Sequence, residues 1–84
     1  GLLLDDLRNI ECLYLSHNLI RDVIGICQLT SLLELNLSFN QITDLSGIGD
    51  LTLLQSLHVN HNQLVTIDAI EPLKSLKVFE AYGN

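Results

Sequence analysis

Residues 10–20 read IECLYLSHNLI, and this arrangement of apolar and polar residues returns along the rest of the chain. Matching stretches occupy residues 32–42, 54–64 and 76–84, so the sequence has a 22-residue period. Such a period is typical of repeat proteins, in which each copy forms the same small unit and cannot bury its apolar face alone. The sequence therefore predicts a stack of similar coils that share one core.

Each repeat changes its apolar spacing at an asparagine. Before Asn18, Leu13 and Leu15 alternate with Tyr14, which is the period of a strand with one buried face. After it, apolar residues recur at every third position, a spacing that suits short 3₁₀ or extended turns and not a full α-helix. In the first unit these apolar residues are Ile20, Val23, Ile26 and Leu29. Stacked coils would then place their strands side by side in a parallel sheet, about 4.8 Å apart.

The asparagine that ends each strand recurs with the period of the repeat. A polar side chain at a fixed corner of an apolar core must find hydrogen-bond partners. Asparagine offers both donors and an acceptor, so it can bond the backbone of its own turn and of the neighbouring coil. We expect a structural ladder along the stack, formed by Asn18, Asn40, Asn62 and Asn84.

The pattern Ile10-x-x-Leu13-x-Leu15-x-x-Asn18-x-Ile20 resembles the signature of leucine-rich-repeat proteins. Its 22-residue period resembles the subclass typified by the leucine-rich-repeat regulatory subunit of protein phosphatase 1, which is also found in ciliary, axonemal and centrosomal proteins. The resemblance implies an α/β-type repeat solenoid, a right-handed coil with a concave parallel sheet of about four strands and short 3₁₀ or extended return segments. One domain would cover residues 1–84, with units at about 7–28, 29–50, 51–72 and 73–84 and a partial unit before residue 7.

The solvent-facing side of the predicted sheet, called the concave face below, is the candidate binding surface. Its residues vary from unit to unit while the core positions keep one character, so packing makes no demand on them. They form three rows: Cys12, Glu34, Ser56 and Val78; Tyr14, Asn36, His58 and Glu80; Ser16, Ser38, Asn60 and Tyr82. The rows mix carboxylates, amides, hydroxyls and two tyrosines, and tyrosine is enriched at protein interfaces.

Composition and charge narrow the class of partner. The chain has a net charge of −6, from 10 acidic and 4 basic residues, and the three rows contain no lysine or arginine. Nucleic acid and anionic membranes are therefore disfavoured, and a protein with a basic surface is favoured. Hydrophobic residues make up 48% of the chain and aromatic residues only 5%, which predicts an aliphatic core. We also expect no cofactor and no small-molecule substrate.

Chemical sites are poorly supported by the residue pattern. A hydrolase would have to pair Ser38 with His58, and the sequence places no evident acid to orient the imidazole. His58 and His61 have a metal-ligand spacing, but a convincing third ligand is missing. Cys12 and Cys27 lie on different sides of a coil, so they should stay reduced thiols. We expect no catalytic residues and no metal.

Three residues fall just before the asparagine corner, namely His17, Phe39 and His61. An exposed Phe39 at the rim of the sheet could anchor a partner. Packing of its ring against the neighbouring coils is the favoured interpretation.

These observations predict a non-enzymatic scaffold that binds another protein through the concave face. An architectural role within a cytoskeletal or ciliary assembly is the main alternative, and the resemblance also allows a targeting or regulatory subunit of a phosphatase. Reduced cysteines favour an intracellular, cytoplasmic location.

Overall fold

A computed structural model describes residues 7–84 of the chain. Its regular elements are four strands that alternate with three turns of 3₁₀-helix, each three residues long. The strands are β1 (Cys12–Tyr14), β2 (Glu34–Asn36), β3 (Ser56–His58) and β4 (Val78–Glu80). The 3₁₀ turns are η1 (Ile26–Gln28), η2 (Ile48–Asp50) and η3 (Asp68–Ile70).

The strands form one parallel sheet in the order β1-β2-β3-β4. Residues 22 positions apart face each other, so that Leu13, Leu35, Leu57 and Phe79 make one line across the sheet. Backbone pairing continues beyond the strand ends, where the amide of Phe39 donates to the carbonyl of Asn60 at 2.8 Å. The 22-residue period of the sequence thus sets the register of the sheet.

The core lies between the sheet and the 3₁₀ turns and is almost wholly aliphatic. Leu35, Leu57 and Val59 reach it from the strand side, and Leu45 and Ile48 reach it from the return side. All five are at most 1% exposed. Among the equivalent residues of the first coil, Val23 is also buried, whereas Leu13, Leu15 and Ile26 are only partly buried, because coils in such a stack cover one another's apolar side chains.

The asparagine ladder joins each coil to the one before it. The side-chain amide of Asn40 donates to the carbonyls of Leu15 and Leu37, at 3.0 and 2.9 Å. Its side-chain oxygen accepts a hydrogen bond from the amide of Ile20 at 3.0 Å. Asn40 therefore pairs polar groups of the preceding coil as well as of its own turn. Equivalent bonds are made by Asn62 and Asn84.

Asn18 is the first rung of the ladder and differs from the others. It is exposed, and its side-chain amide donates to the carbonyls of Leu15 and Ser16 in its own turn. Asn40 and Asn62 are buried, and their bonds are correspondingly harder to replace with water.

Short side chains cap the turns that follow the asparagines. The amide of Ile24 donates to Asp22 at 3.1 Å, and the amide of Ser46 donates to Asp44 at 2.9 Å. The bond from Ser46 lowers the pKa of the Asp44 carboxyl. Thr66 holds the same position in the third unit, where its hydroxyl accepts from the amide of Asp68.

The predicted solenoid, with a parallel sheet of four strands and short 3₁₀ return segments, is confirmed. The partial unit expected before residue 7 lies outside the described residues. Within residues 7–84, the structure contains no helix with the length and apolar character needed to cross a membrane.

Candidate functional site

The concave face is built from the side chains of the four strands that point away from the core. Ten of the twelve residues in the three predicted rows are at least partly exposed there. Tyr14 and Tyr82 are the most prominent, each 62% exposed, and Val78 is 45% exposed. The face is an open sheet surface, and the described residues enclose no pocket.

Tyr14 and Glu34 are joined across β1 and β2. The phenol hydroxyl of Tyr14 donates a hydrogen bond to one carboxylate oxygen of Glu34. This bond, more than any other influence, raises the pKa of Tyr14 to about 12, because ionising the phenol would remove the donated proton from beside a carboxylate. The carboxylate of Glu34 is thereby held in one orientation on the face.

Ser56, His58 and Glu80 form a second hydrogen-bonded chain, across β3 and β4. The hydroxyl of Ser56 lies 3.0 Å from Nε2 of His58, and Nδ1 of His58 lies 2.7 Å from Oε1 of Glu80. The side-chain amide of Asn60 donates to the same oxygen of Glu80 at 3.1 Å. The bond from His58, and secondarily the bond from Asn60, lower the pKa of Glu80.

The expectation that no acid orients the imidazole of His58 was wrong. Glu80 does so, because it lies directly opposite His58 in the register of the sheet. Ser56, and not Ser38, is the serine that contacts the imidazole. The order serine, histidine, carboxylate is the one that activates a nucleophile in hydrolases.

The surroundings of Ser56 do not favour acyl transfer. Glu34 is its neighbour on β2, so a carboxylate stands beside the place where negative charge would develop in a tetrahedral intermediate. The backbone amide of Ser56 is engaged with the carbonyl of Leu33 at 3.0 Å and does not point into the face. We interpret the hydrogen bonds among Ser56, His58 and Glu80 as a network that fixes the side chains of His58 and Glu80.

Ser38 and Asn60 are not accessible, contrary to the expectation that all three rows face solvent. They are 6% and 5% exposed. The hydroxyl of Ser38 accepts from the amide of Asn60 at 3.1 Å, and the side chain of Asn60 accepts from the amide of Tyr82 at 3.0 Å. Both residues hydrogen-bond backbone groups just beyond the strand ends, so they hold neighbouring coils together. They therefore do not belong to the candidate binding surface.

Asn36 combines exposure with a structural bond. It is partly exposed in the middle row, and its side-chain oxygen accepts from the amide of Ser38 at 3.0 Å. The remaining members of the rows, Cys12 and Ser16, lie on the first coil and are exposed and partly exposed respectively.

A stack of rings runs along the rim of the sheet, one coil above the next. The rings of His17 and Phe39, and those of Phe39 and His61, stack with centroids 4.4 Å apart and interplanar angles of 10° and 17°. Tyr82 meets His61 edge to face at 5.4 Å. Phe39 thus packs against its neighbouring coils, as the sequence favoured, while 45% of its surface stays exposed.

The stacked residues occupy a left-handed backbone position. His17, Phe39 and His61 have φ values of 59°, 60° and 54°, and Gly83 has the equivalent position in the fourth unit with φ of 76°. This conformation costs a residue with a Cβ atom about 1–2 kcal/mol, whereas glycine adopts it freely. The stacking contacts offset part of that cost, at roughly 0.5–1.5 kcal/mol for each pair of rings.

A comparison of two substitutions at Phe39 separates these effects. Phe39→Ala removes both ring contacts and keeps the strained backbone, so we expect the free energy of unfolding to fall by about 1–3 kcal/mol. Phe39→Gly removes the same contacts but relieves the strain, and should be more stable than the alanine variant by about 1 kcal/mol. Urea denaturation followed by circular dichroism measures both. An alanine variant as stable as the glycine variant would contradict the account of backbone strain.

The two cysteines, and the two histidines with metal-ligand spacing, lie in different surroundings. Cys12 is exposed on the sheet, and Cys27 is buried in η1, where burial and the nearby charge of Asp50 raise the pKa of its thiol to about 11. Within residues 7–84, no group of three or more histidines, cysteines and acids could hold a metal ion. His58 and His61 are occupied separately, by Glu80 and by the rim stack.

Two side-chain contacts on the face were missed by the sequence reasoning although their signal was present. His58 and Glu80 are separated by one full period of the repeat, which alone makes them opposite neighbours on adjacent strands. Glu34 and Tyr14 are 20 residues apart, which places them diagonally within reach of a long side chain.

Comparison with known proteins gives two similarities. The family described as Leucine Rich repeats (2 copies) matches residues 8–51, which is more than half of the 84-residue chain. Among solved structures, the chain is similar to an internalin from Listeria monocytogenes, with 30% sequence identity and a TM-score of 0.89. The match covers 96% of this chain and 24% of the internalin chain, so the chain spans about a quarter of that protein. No curated protein sequence matches the chain.

Proposed function

Because this chain belongs to the leucine-rich-repeat family, we propose that it is a non-enzymatic scaffold that binds another protein on the concave face of its sheet. Leucine-rich repeats generally act as modules for protein–protein interaction, and the similarity to an internalin agrees with that role. The proposal for this chain goes further, since it assigns the interaction to one face and to named residues.

The observation that carries the proposal is the combination of exposed rings and fixed polar groups on one surface. Tyr14 and Tyr82 stand in solvent at opposite sides of the face, each 62% exposed. Between them, Glu34, His58 and Glu80 are held by hydrogen bonds to their neighbours. Side chains that are already fixed lose little conformational entropy when a partner binds, which improves affinity.

The size and charge of the face describe the partner. Four strands present a surface about 15–20 Å wide. The area of such a surface is smaller than that of a standard interface, which buries roughly 800 Å² on each side, so the described coils should bind with modest affinity. Glu34 and Glu80 make the face acidic, and a partner with a basic surface would associate faster.

An architectural role within a larger assembly is the second candidate. Its support is the resemblance of the 22-residue period to a subclass found in ciliary, axonemal and centrosomal proteins and in a phosphatase regulator. A cytoplasmic location belongs to this proposal and is supported by the free thiols of Cys12 and Cys27. In this role the return side would carry the contacts, where Leu19 and Val65 are 77% and 89% exposed.

A double substitution on each side of the coil distinguishes the two functions. The partner is first captured with a photo-crosslinking residue at Ser16 and identified by mass spectrometry. Its affinity for purified protein is then measured by calorimetry. We expect Tyr14→Ala combined with His58→Ala to weaken binding at least tenfold, about 1.4 kcal/mol, with an unchanged melting temperature.

The matched control is Leu19→Ala combined with Val65→Ala, which removes exposed apolar surface from the return side. It should leave the affinity within twofold of the unmodified protein. If the control loses binding and the concave variant keeps it, the scaffold function is wrong and the architectural function replaces it.

A further inference from the structure

The charges of the chain are distributed unevenly over its surface. The three rows of the concave face contain Glu34 and Glu80 and no lysine or arginine, and their one histidine, His58, lies against Glu80. The four basic residues lie outside these rows: Arg8, Arg21, Lys74 and Lys77. A cationic group of a partner that approaches the concave face would therefore meet negative charge without a competing lysine or arginine from the rows.

Each carboxylate on the face has one oxygen engaged and one available. Glu34 uses Oε2 for the hydroxyl of Tyr14, and Glu80 uses Oε1 for His58 and Asn60. Among residues 7–84, the second oxygen of each carboxylate has no hydrogen-bond donor. The two groups are thus oriented by the protein and still able to accept hydrogen bonds from a partner.

An aromatic ring contacts the first carboxylate, and a second ring follows the other carboxylate closely along the chain. Tyr14 is bonded to Glu34. Tyr82 follows Glu80 by two residues, just beyond the end of β4, and the side chain of Asn60 bonds both the carboxylate of Glu80 and the backbone amide of Tyr82. A guanidinium group suits such surroundings, since its planar fork donates to a carboxylate and its face stacks on a ring. An ammonium group offers only the charge, so the face should distinguish arginine from lysine.

The distance between the two carboxylates determines how far apart the two guanidinium groups of a partner should be. Glu34 is on β2 and Glu80 is on β4, two strand separations away and two residues further along the strand direction. Strand geometry places the two positions about 12 Å apart. An extended segment covers that distance in about four residues, and side chains four residues apart point to the same side.

We propose that the concave face accepts an extended segment of a protein partner with two arginines four residues apart, one bound at Glu34 beside Tyr14 and the other at Glu80, two residues before the exposed Tyr82. This inference rests on the proposed scaffold function and names the chemistry of its partner. The occupant is a protein segment and not a nucleic acid, because the face offers carboxylates and would repel phosphates.

The probe is a fluorescein-labelled nine-residue peptide with arginines four residues apart in a glycine and serine background. Its binding to the full 84-residue chain is followed by fluorescence anisotropy and by amide shifts in nitrogen-15 NMR spectra. We expect shifts that concentrate on the concave face at Tyr14, Glu34, Glu80 and Tyr82. A peptide with lysines in place of both arginines, and one with adjacent arginines, should each bind at least threefold more weakly.

Two double variants with the same net charge test the location. Glu34→Gln combined with Glu80→Gln removes both carboxylates from the face and should weaken arginine-peptide binding at least fivefold. Asp50→Asn combined with Glu71→Gln removes two charges from the exposed return side and should change the affinity for the arginine peptide less than twofold. Equal weakening by the two variants, or equal binding of the lysine peptide, would show attraction to net charge only and overturn the inference.

The outcome is separable from that of the scaffold function. If the arginine peptide binds without preference while Tyr14→Ala with His58→Ala still abolishes capture of the natural partner, only the arginine specificity is rejected. If neither the peptide nor the natural partner depends on the concave face, both proposals are rejected. Thermal melting of all variants verifies that each is folded.

Discussion

Replacing Asn40 with alanine is expected to lower the free energy of unfolding by about 2–4 kcal/mol. The substitution removes the acceptor of the Ile20 amide and the donor shared by the carbonyls of Leu15 and Leu37. Asn40 is 8% exposed, so water cannot readily replace these bonds. Urea denaturation gives the free energy, and the midpoint should move with little change in the slope.

Asn18→Ala is the matched control, because it removes the same side chain from the exposed first rung. Its donors reach only carbonyls of its own turn, so the cost should be no more than about 1 kcal/mol. Equal losses for the two variants would mean that the ladder contributes through the local turn alone and does not join the coils.

Replacing Leu57 with alanine is expected to cost about 3–5 kcal/mol, the range found when a buried leucine leaves a cavity. Leu57 is 0% exposed and lies in the register line between Leu35 and Phe79. A cavity there separates the second coil from the fourth, and a stack stabilised by nearest-neighbour contacts has no other core to compensate. Loss of cooperative thermal melting is the expected readout.

Val65→Ala removes apolar atoms from a side chain that is 89% exposed and should change the free energy of unfolding by less than about 0.5 kcal/mol. If Leu57→Ala were as mild as this control, the third coil would not be a part of the cooperative unit.

The sequence predicted those features that a fixed period determines. Leu35 and Leu57 had to meet because they hold the same position in successive repeats, and Asn40 had to lie at a corner because the apolar spacing changes there. The solenoid, the parallel sheet and the short return segments all follow from this arithmetic, and all are present in the described residues.

Features that depend on side-chain contacts were predicted less well. Ser38 and Asn60 alternate correctly for the concave face, yet they turn to backbone amides that the ending strands leave unpaired. The same alternation cannot tell such a residue from an exposed one such as Tyr14. The bond between His58 and Glu80 could have been deduced from their opposition across strands.

The left-handed backbone at the rim was not predicted, because its usual marker, glycine, is present only at Gly83. Histidine and phenylalanine at the other three positions conceal the turn from an analysis of composition. Their regular stacking, at 4.4 Å, became apparent only with the coils in place.

The ladder has a direction, and that direction matters while the chain is being made. Each asparagine hydrogen-bonds a backbone carbonyl and a backbone amide of the preceding coil. The pairs are Leu15 and Ile20 for Asn40, Leu37 and Ile42 for Asn62, and Val59 and Leu64 for Asn84. In every case the later residue completes the earlier coil. A coil emerging from the ribosome therefore stays unfinished until the asparagine of the following repeat has been synthesised. Folding of this array during translation should advance in steps of one repeat, each lagging behind the nascent end by the length of one whole unit.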